Sequence, residues 1–118
     1  MTIDFEFREF YYYGKVIGEF TFDNEENLFK VFFDTIVAHK EENKDEKIFM
    51  VVDFEEMNFI SSSGIAIFDK IHKFVDTKGG IIKFINLPSR IKEIFDFLKV
   101  PFAKAIAKSL EDALKNVR

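Results

Sequence analysis

The sequence predicts a mixed α/β domain. Its four-stranded sheet opens with an antiparallel hairpin and continues through parallel βαβ crossovers, with helices packed on it. Three patterns predict this. Ile3, Phe5 and Phe7 alternate with Asp4, Glu6 and Arg8, the period of a half-buried strand. Residues 48–52 (Ile48-Phe49-Met50-Val51-Val52) form a continuous apolar run, typical of a strand covered on both faces. Elsewhere, apolar residues recur at helical spacing in three separate stretches.

The first strand slips its alternation at Glu9-Phe10, and Gly14-Lys15 is suited to a tight turn into a second strand, Val16 to Phe22. Asp23-Asn24-Glu25-Glu26 resembles a capping box, and behind it Leu28, Phe29, Phe32, Phe33, Ile36 and Val37 lie at helical spacing. This helix should end near Lys40, because Glu41 to Lys47 reads as a solvated charged loop. After the strand at residues 48–53, Asp53 to Ile60 reads as a connection to a helix opening at Ser61-Ser62-Ser63-Gly64. Ile67, Phe68, Ile71, Phe74 and Val75 form its apolar stripe, which leaves Asp69, Lys70, His72, Lys73 and Asp76 on the wet side. Gly79-Gly80 ends it before the strand Ile81 to Ile85. Pro88 opens a third helix with Ile91, Ile94, Phe95 and Leu98 on one face. Beyond Pro101, a C-terminal helical segment spans about 102–118, with Ser109 and Asp112 as a second capping box.

With 118 residues and 13.9 kDa, the chain has room for one domain, residues 1–118. Apolar residues make up 47% and include 17 Phe, which read as core. The chain has no Cys, so disulfides, thiolate metal sites and Cys nucleophiles are excluded. Its two histidines, His39 and His72, stand alone on the polar sides of helices, which leaves no His-based metal cage or catalytic triad. The net charge of −4 and the absence of an Arg-rich basic stripe argue against nucleic acid. No apolar run approaches 18 residues, so membrane insertion is not expected, and a cytoplasmic location is. No motif calls for a cofactor or for an enzyme: Gly79-Gly80 lacks phosphate-loop spacing, and Ile60 stands where a nucleophile elbow around Ser62 would need glycine. Nothing in the sequence decides the oligomeric state.

The candidate site is Ser61-Ser62-Ser63-Gly64, at a strand's carboxyl end and a helix's amino end. One hydroxyl there is accounted for as an N-cap. The others, beside free helix N–H groups, could accept an anion, or a phosphate placed on serine.

Residues 51–100 resemble the STAS domain (sulphate transporter and anti-sigma factor antagonist). Asp53-Phe54 through Asn58-Phe59-Ile60-Ser61-Ser62-Ser63-Gly64-Ile65 is similar to the family's signature, an acidic strand end followed by Phe-Ile-Asp-Ser-Ser-Gly-Leu. The Gly80 turn, Asn86-Leu87-Pro88 before a short helix, and Gly18-Glu19-Phe20 for the family's Gly-Glu-Leu also match. The first 47 residues match mainly in element order.

As a stand-alone domain, the chain resembles the bacterial anti-sigma factor antagonists, and the resemblance implies a STAS-like fold and partner switching. Ser62 would be the phosphoacceptor of an anti-sigma factor that is itself an ATP-dependent serine kinase. The unphosphorylated protein would bind that kinase and free the sigma factor, and a phosphatase would reset it. The contact surface would comprise Thr21 and Asp23 after the second strand, Ser61, Ser63, Gly64 and Ile65 at the corner, and Asp69, Lys70, His72 and Lys73 on the helix. Two positions depart from the pattern: Ser61 replaces the Asp before the phosphoacceptor, and Thr21 the Asp ending the second-strand motif. Each keeps a hydroxyl and removes a charge. Ser61 or Ser63 therefore stay open as acceptors, and so does a non-phosphorylated scaffold or subunit of a larger signalling or transport assembly.

Overall fold

The order of strands across the sheet follows their order along the chain, which governs where everything else lies. The computed structural model describes residues 2–20, 25–42 and 47–115. β1 (Phe5–Arg8) pairs antiparallel with β2 (Tyr11–Phe20). β3 (Phe49–Ile60), β4 (Ile81–Ile85) and the two-residue β5 (Ile106–Ala107) then add in parallel, one beside the next. Every crossover steps the same way, so right-handed connections bring α1 (Glu25–Glu42), α2 (Ser62–Thr77) and α3 (Ser89–Leu98) to a single face. α4 (Leu110–Leu114) packs on the other, against Tyr11, Phe49, Val51 and Ile85.

The main core lies under the three helices. Phe54 on β3 touches the rings of Phe68, Phe84 and Phe95 at centroid distances of 5.0, 5.4 and 6.3 Å, and Phe102 closes the group 5.1 Å from Phe84. All five are fully buried, and each such ring contributes roughly 1.5–3 kcal/mol through removal from water. The opposite face carries a polar pair beside its smaller apolar cluster. Asp53, only 3% exposed, accepts the Tyr13 hydroxyl proton and, at 2.9 Å, the Glu55 N–H. Burial first, and then the hydrogen bond to Asp53, raises the Tyr13 phenol above its ordinary pKa.

The mixed α/β architecture is the expected one, extended by a fifth strand. Ile106 and Ala107 pair with Phe84 and Ile85, inside the C-terminal helical segment expected over about 102–118. Two residues are too few to show a period, so no sequence pattern betrays this strand. The Ser109 cap of α4 does form, its Oγ accepting from the Asp112 N–H at 3.2 Å.

The hairpin turn falls at Glu9-Phe10, with Glu9 at φ 44°, rather than at Gly14-Lys15. Gly14 lies inside β2 opposite Phe5, and a Cβ there would stand 2.7 Å from that ring. Glycine is required for the aromatic ring to lie across the strand, and the turn lies elsewhere. β3 runs through the expected connection to Ile60, because β2 pairs with it along two register shifts. Its exposed Glu55, Glu56 and Asn58 mimic a loop.

His39 is 3% exposed, with Nδ1 3.1 Å from the Tyr12 hydroxyl, and so does not lie on the polar side of α1. Nor are all the phenylalanines core: Phe7, Phe33, Phe59 and Phe97 are exposed, as is Leu98 of the α3 stripe. The first capping box, Asp23 to Glu26, lies outside the residues whose side chains are described. α1 itself continues two residues beyond Lys40, to Glu42. Gly79, at φ 75°, ends α2 as expected, with the Gly80 N–H returning to the Val75 carbonyl at 2.9 Å.

Candidate functional site

Three chain segments converge where β3 ends. Ser61 is the single residue between β3 and α2, and its N–H donates to the Phe20 carbonyl at the end of β2, at 3.0 Å. Its extended backbone makes it the N-cap: Oγ accepts from the Gly64 N–H at 3.1 Å, and its carbonyl accepts from the Ile65 N–H at 3.0 Å.

Gly64 brings the helix down onto the strand ends. A Cβ at that position would lie 3.0 Å from Ile60 Cγ1 and 3.3 Å from the Phe20 ring. Phe20 in turn packs edge-on against Phe68, at 5.2 Å and 89°. Gly64 is buried and Ile65 is 8% exposed, so of the corner residues these two form the packed floor beneath the serines.

The three hydroxyls are not equivalent. Ser61 caps the helix, and Ser63, half-buried, has its Oγ 2.9 Å from that of Ser61. Ser62 is exposed at the first helical position and makes no hydrogen bond with any described residue. The backbone N–H groups of Ser62 and Ser63 likewise meet no acceptor among the described residues, as the first turn of a helix leaves them. The first turn carries no acidic residue. The corner therefore combines a hydroxyl and two N–H donors without a partner among the described residues with the positive end of a four-turn helix, an arrangement that favours a negative charge.

Ser62, Ala66, Lys70 and Lys73 follow one another up the exposed ridge of α2. Lys73 pairs with Asp69 at 2.9 Å, while the other Asp69 oxygen is buried without a hydrogen-bond partner. Lys70 leans toward α1, its Nζ 4.8 Å from the Phe29 ring centroid. His72 is half-buried on the opposite flank, its ring 6.5 Å from that of Phe102. The expected contact face of α2 thus divides into a ridge continuous with Ser62 and a flank turned toward the C-terminal segment. Thr21 and Asp23 lie outside the described residues.

Sequence reasoning missed the partly exposed aromatic face shared by α1 and α2. Its signal was present: Phe29, Phe33 and Val37 form a second apolar stripe beside the buried Leu28, Phe32 and Ile36. Among the described residues, no group of three His, Asp or Glu could hold a metal ion, and no helix is long and apolar enough to cross a membrane.

Comparison with known proteins finds relatives of this fold. The model of the STAS domain family matches residues 14–113. Among solved structures, the unphosphorylated anti-sigma factor antagonist SpoIIAA superposes with a TM-score of 0.66 at 14% identity, covering 93% of this chain and 91% of that one. The phosphorylated form of the Bacillus cell fate determinant SpoIIAA gives 0.69 at 16% identity, covering 99% and 100%. The murine anion transporter Slc26a9 gives 0.70 at 15% identity, over 88% of this chain but only 17% of the transporter. At these identities the likeness shows a shared fold. No curated protein matches the chain by sequence.

Proposed function

Because the chain belongs to the STAS domain family, we propose that it is a regulatory protein of the anti-sigma factor antagonist kind, which exchanges partners when Ser62 is phosphorylated. The observation that carries this reading is the division of labour among the serines. Two hydroxyls are engaged at the cap, and the one at the first helical position is exposed and free of described partners. An ATP-dependent serine kinase, itself the anti-sigma factor, transfers the γ-phosphoryl of ATP to Ser62 Oγ, releasing ADP and the hydroxyl proton. A phosphatase hydrolyses the ester.

The physics suits a switch that leaves the fold intact. A phosphate brings about −1.5 to −2 charges, and the amino end of α2 accommodates it with a gain of roughly 0.3–1 kcal/mol. Inside a protein contact the same group must be desolvated, at a cost of several kcal/mol without a cationic partner. A loss of ~3–4 kcal/mol weakens binding roughly 10²–10³-fold. SpoIIAA supports this by analogy, since its unphosphorylated and phosphorylated forms both match this fold, at TM-scores of 0.66 and 0.69. Ser61, Ser63, Lys70 and Lys73 surround Ser62 or continue its ridge and belong to the contact, to which Thr21 and Asp23 are assigned from the sequence alone.

The test is mass spectrometry of the peptide spanning Ser61 to Ser63, from cells in growth and under stress. Phosphate on Ser62 that changes with condition is the expected result. A second reading, a constitutive scaffold within a larger signalling or transport assembly, draws on the match to the Slc26a9 transporter and on Ser61 standing where the family pattern has Asp. It predicts a well-covered peptide that never carries phosphate, and a complex indifferent to phosphatase.

A further inference from the structure

The two apolar stripes of α1 have different fates. Leu28, Phe32 and Ile36 enter the core, whereas Phe33 and Val37 remain 43% and 38% exposed, with Phe29 half-buried between them and α2. Phe74 of α2 joins them. Its ring lies 5.7 Å from Phe33 at 21° and 5.8 Å from Phe29, while Phe29 and Phe33 are 6.5 Å apart at 26°. Beside this trio runs an open groove of about 490 Å³ between the helices, floored by Ile36, Phe74 and Val37. Exposed aromatic surface beside an open groove is the kind of surface that interaction sites use.

The rim of the groove says what kind of partner it fits. Lys70 Nζ stands 4.8 Å from the Phe29 ring and Lys78 Nζ 5.6 Å from Phe74, while Lys40 Nζ donates to the Lys78 carbonyl at 3.2 Å. None of these three lysines forms an ion pair with a described residue. Lys30, Lys73 and Lys92 each have a carboxylate four residues away on their own helix. Among the described residues, Glu41 is the one carboxylate lining the groove. In a chain of net charge −4, Lys40 and Lys78 lining the groove and Lys70 beside Phe29, none ion-paired with a described residue, set a locally positive surface around stacked aromatics.

We propose that the α1–α2 groove docks an acidic amphipathic helix of a partner protein. The helix would seat its apolar anchors against Phe33 and Phe74 and set its carboxylates against Lys40, Lys70 and Lys78. α1 and α2 run parallel, and the stretch from Phe29 to Lys40 is about 17 Å long, or three turns of a docked helix with anchors at i, i+4 and i+7. Phe74 is about 18 Å along α2 from Ser62, so this surface shares only Lys70 with the proposed switch contact and does not rest on the phosphorylation reading.

The test uses the full chain and two labelled synthetic peptides of about 14 residues. One has Leu or Phe at i, i+4 and i+7 with Glu around them, and the other has Lys in place of every Glu. In fluorescence polarisation the acidic peptide should bind saturably, at least tenfold tighter than the basic one. Lys70→Glu combined with Lys78→Glu should invert that preference. Phe33→Ser, at a side chain already 43% exposed, should keep the wild-type melting temperature and lose at least tenfold in affinity. Ser62→Asp should change it less than twofold, which separates this proposal from the switch. Equal binding of the two peptides, no binding of either, or wild-type affinity in a folded Phe33→Ser variant overturns it.

Discussion

The β3–α2 and β4–α3 corners occupy equivalent places in the fold, each at the carboxyl end of a parallel strand feeding a helix, yet they are built differently. At the first, a single residue makes the connection, Ser61 caps the helix, and Gly64 at the third helical position lets Ile60 and Phe20 press against the backbone. At the second, Asn86 turns with φ 56°, and Pro88 holds the cap position with no side-chain hydrogen bond. There Ile91 fills the third helical position and is buried. The fold offers the same helix dipole at both places. The difference shows that the dipole is only a background, and that small residues and hydroxyls at one corner convert it into an accessible polar surface.

The sharpest contrast lies in binding. If the proposed kinase is the partner, Ser62→Asp should weaken that complex roughly 10²–10³-fold by calorimetric titration, corresponding to ~3–4 kcal/mol. Ser89→Asp, the same change at the exposed first position of α3, should leave affinity within about twofold. Equal losses at both corners would make the effect one of general charge and break the distinction.

Next in size is the floor of the corner. Gly64→Ile imports the residue type that α3 carries at the equivalent place. It should cost about 3 kcal/mol, because the side chain must displace Ile60 and Phe20 in a packed core. For a chain of this size that lowers the melting temperature by roughly 10 °C. An unchanged melting curve would mean that the corner is not packed as described.

Ser61→Ala removes the cap and should cost about 1 kcal/mol in urea unfolding. Ser61→Asp retains an acceptor for the Gly64 N–H and should hold stability within about 0.5 kcal/mol of wild type. The smallest effect belongs to the other corner. Asn86→Gly eases the left-handed backbone but adds freedom to the unfolded chain, and the two should nearly cancel, within about 0.5 kcal/mol.

Much of this could be read from residues alone, for reasons that are local. Helices α1, α2 and α3 announce themselves through apolar residues spaced by turns, and the Ser109 and Gly79 boundaries through chemistry acting within a few residues. The buried strand at Phe49 to Val52 shows in its unbroken apolar run. The serine corner was legible for the same reason, since a cap is a contact between residues three apart.

What only the tertiary structure decided depends on residues distant in sequence. Gly14 reads as a turn until Phe5 is found lying across it, and residues 53–60 read as a loop until β2 pairs with them. His39 and Asp53 are polar by composition yet buried, because Tyr12 and Tyr13 supply their partners from another strand. Periodicity likewise identifies two apolar stripes on α1 but cannot rank them. The sheet buried Leu28, Phe32 and Ile36 in the core, leaving Phe33 and Val37 at the surface beside Phe74 of α2 and lysines that form no ion pair with a described residue. Local chemistry determined which segments would turn, cap and coil. The choice of which apolar surface to bury belonged to long-range packing, because that surface is shared between segments no short window contains.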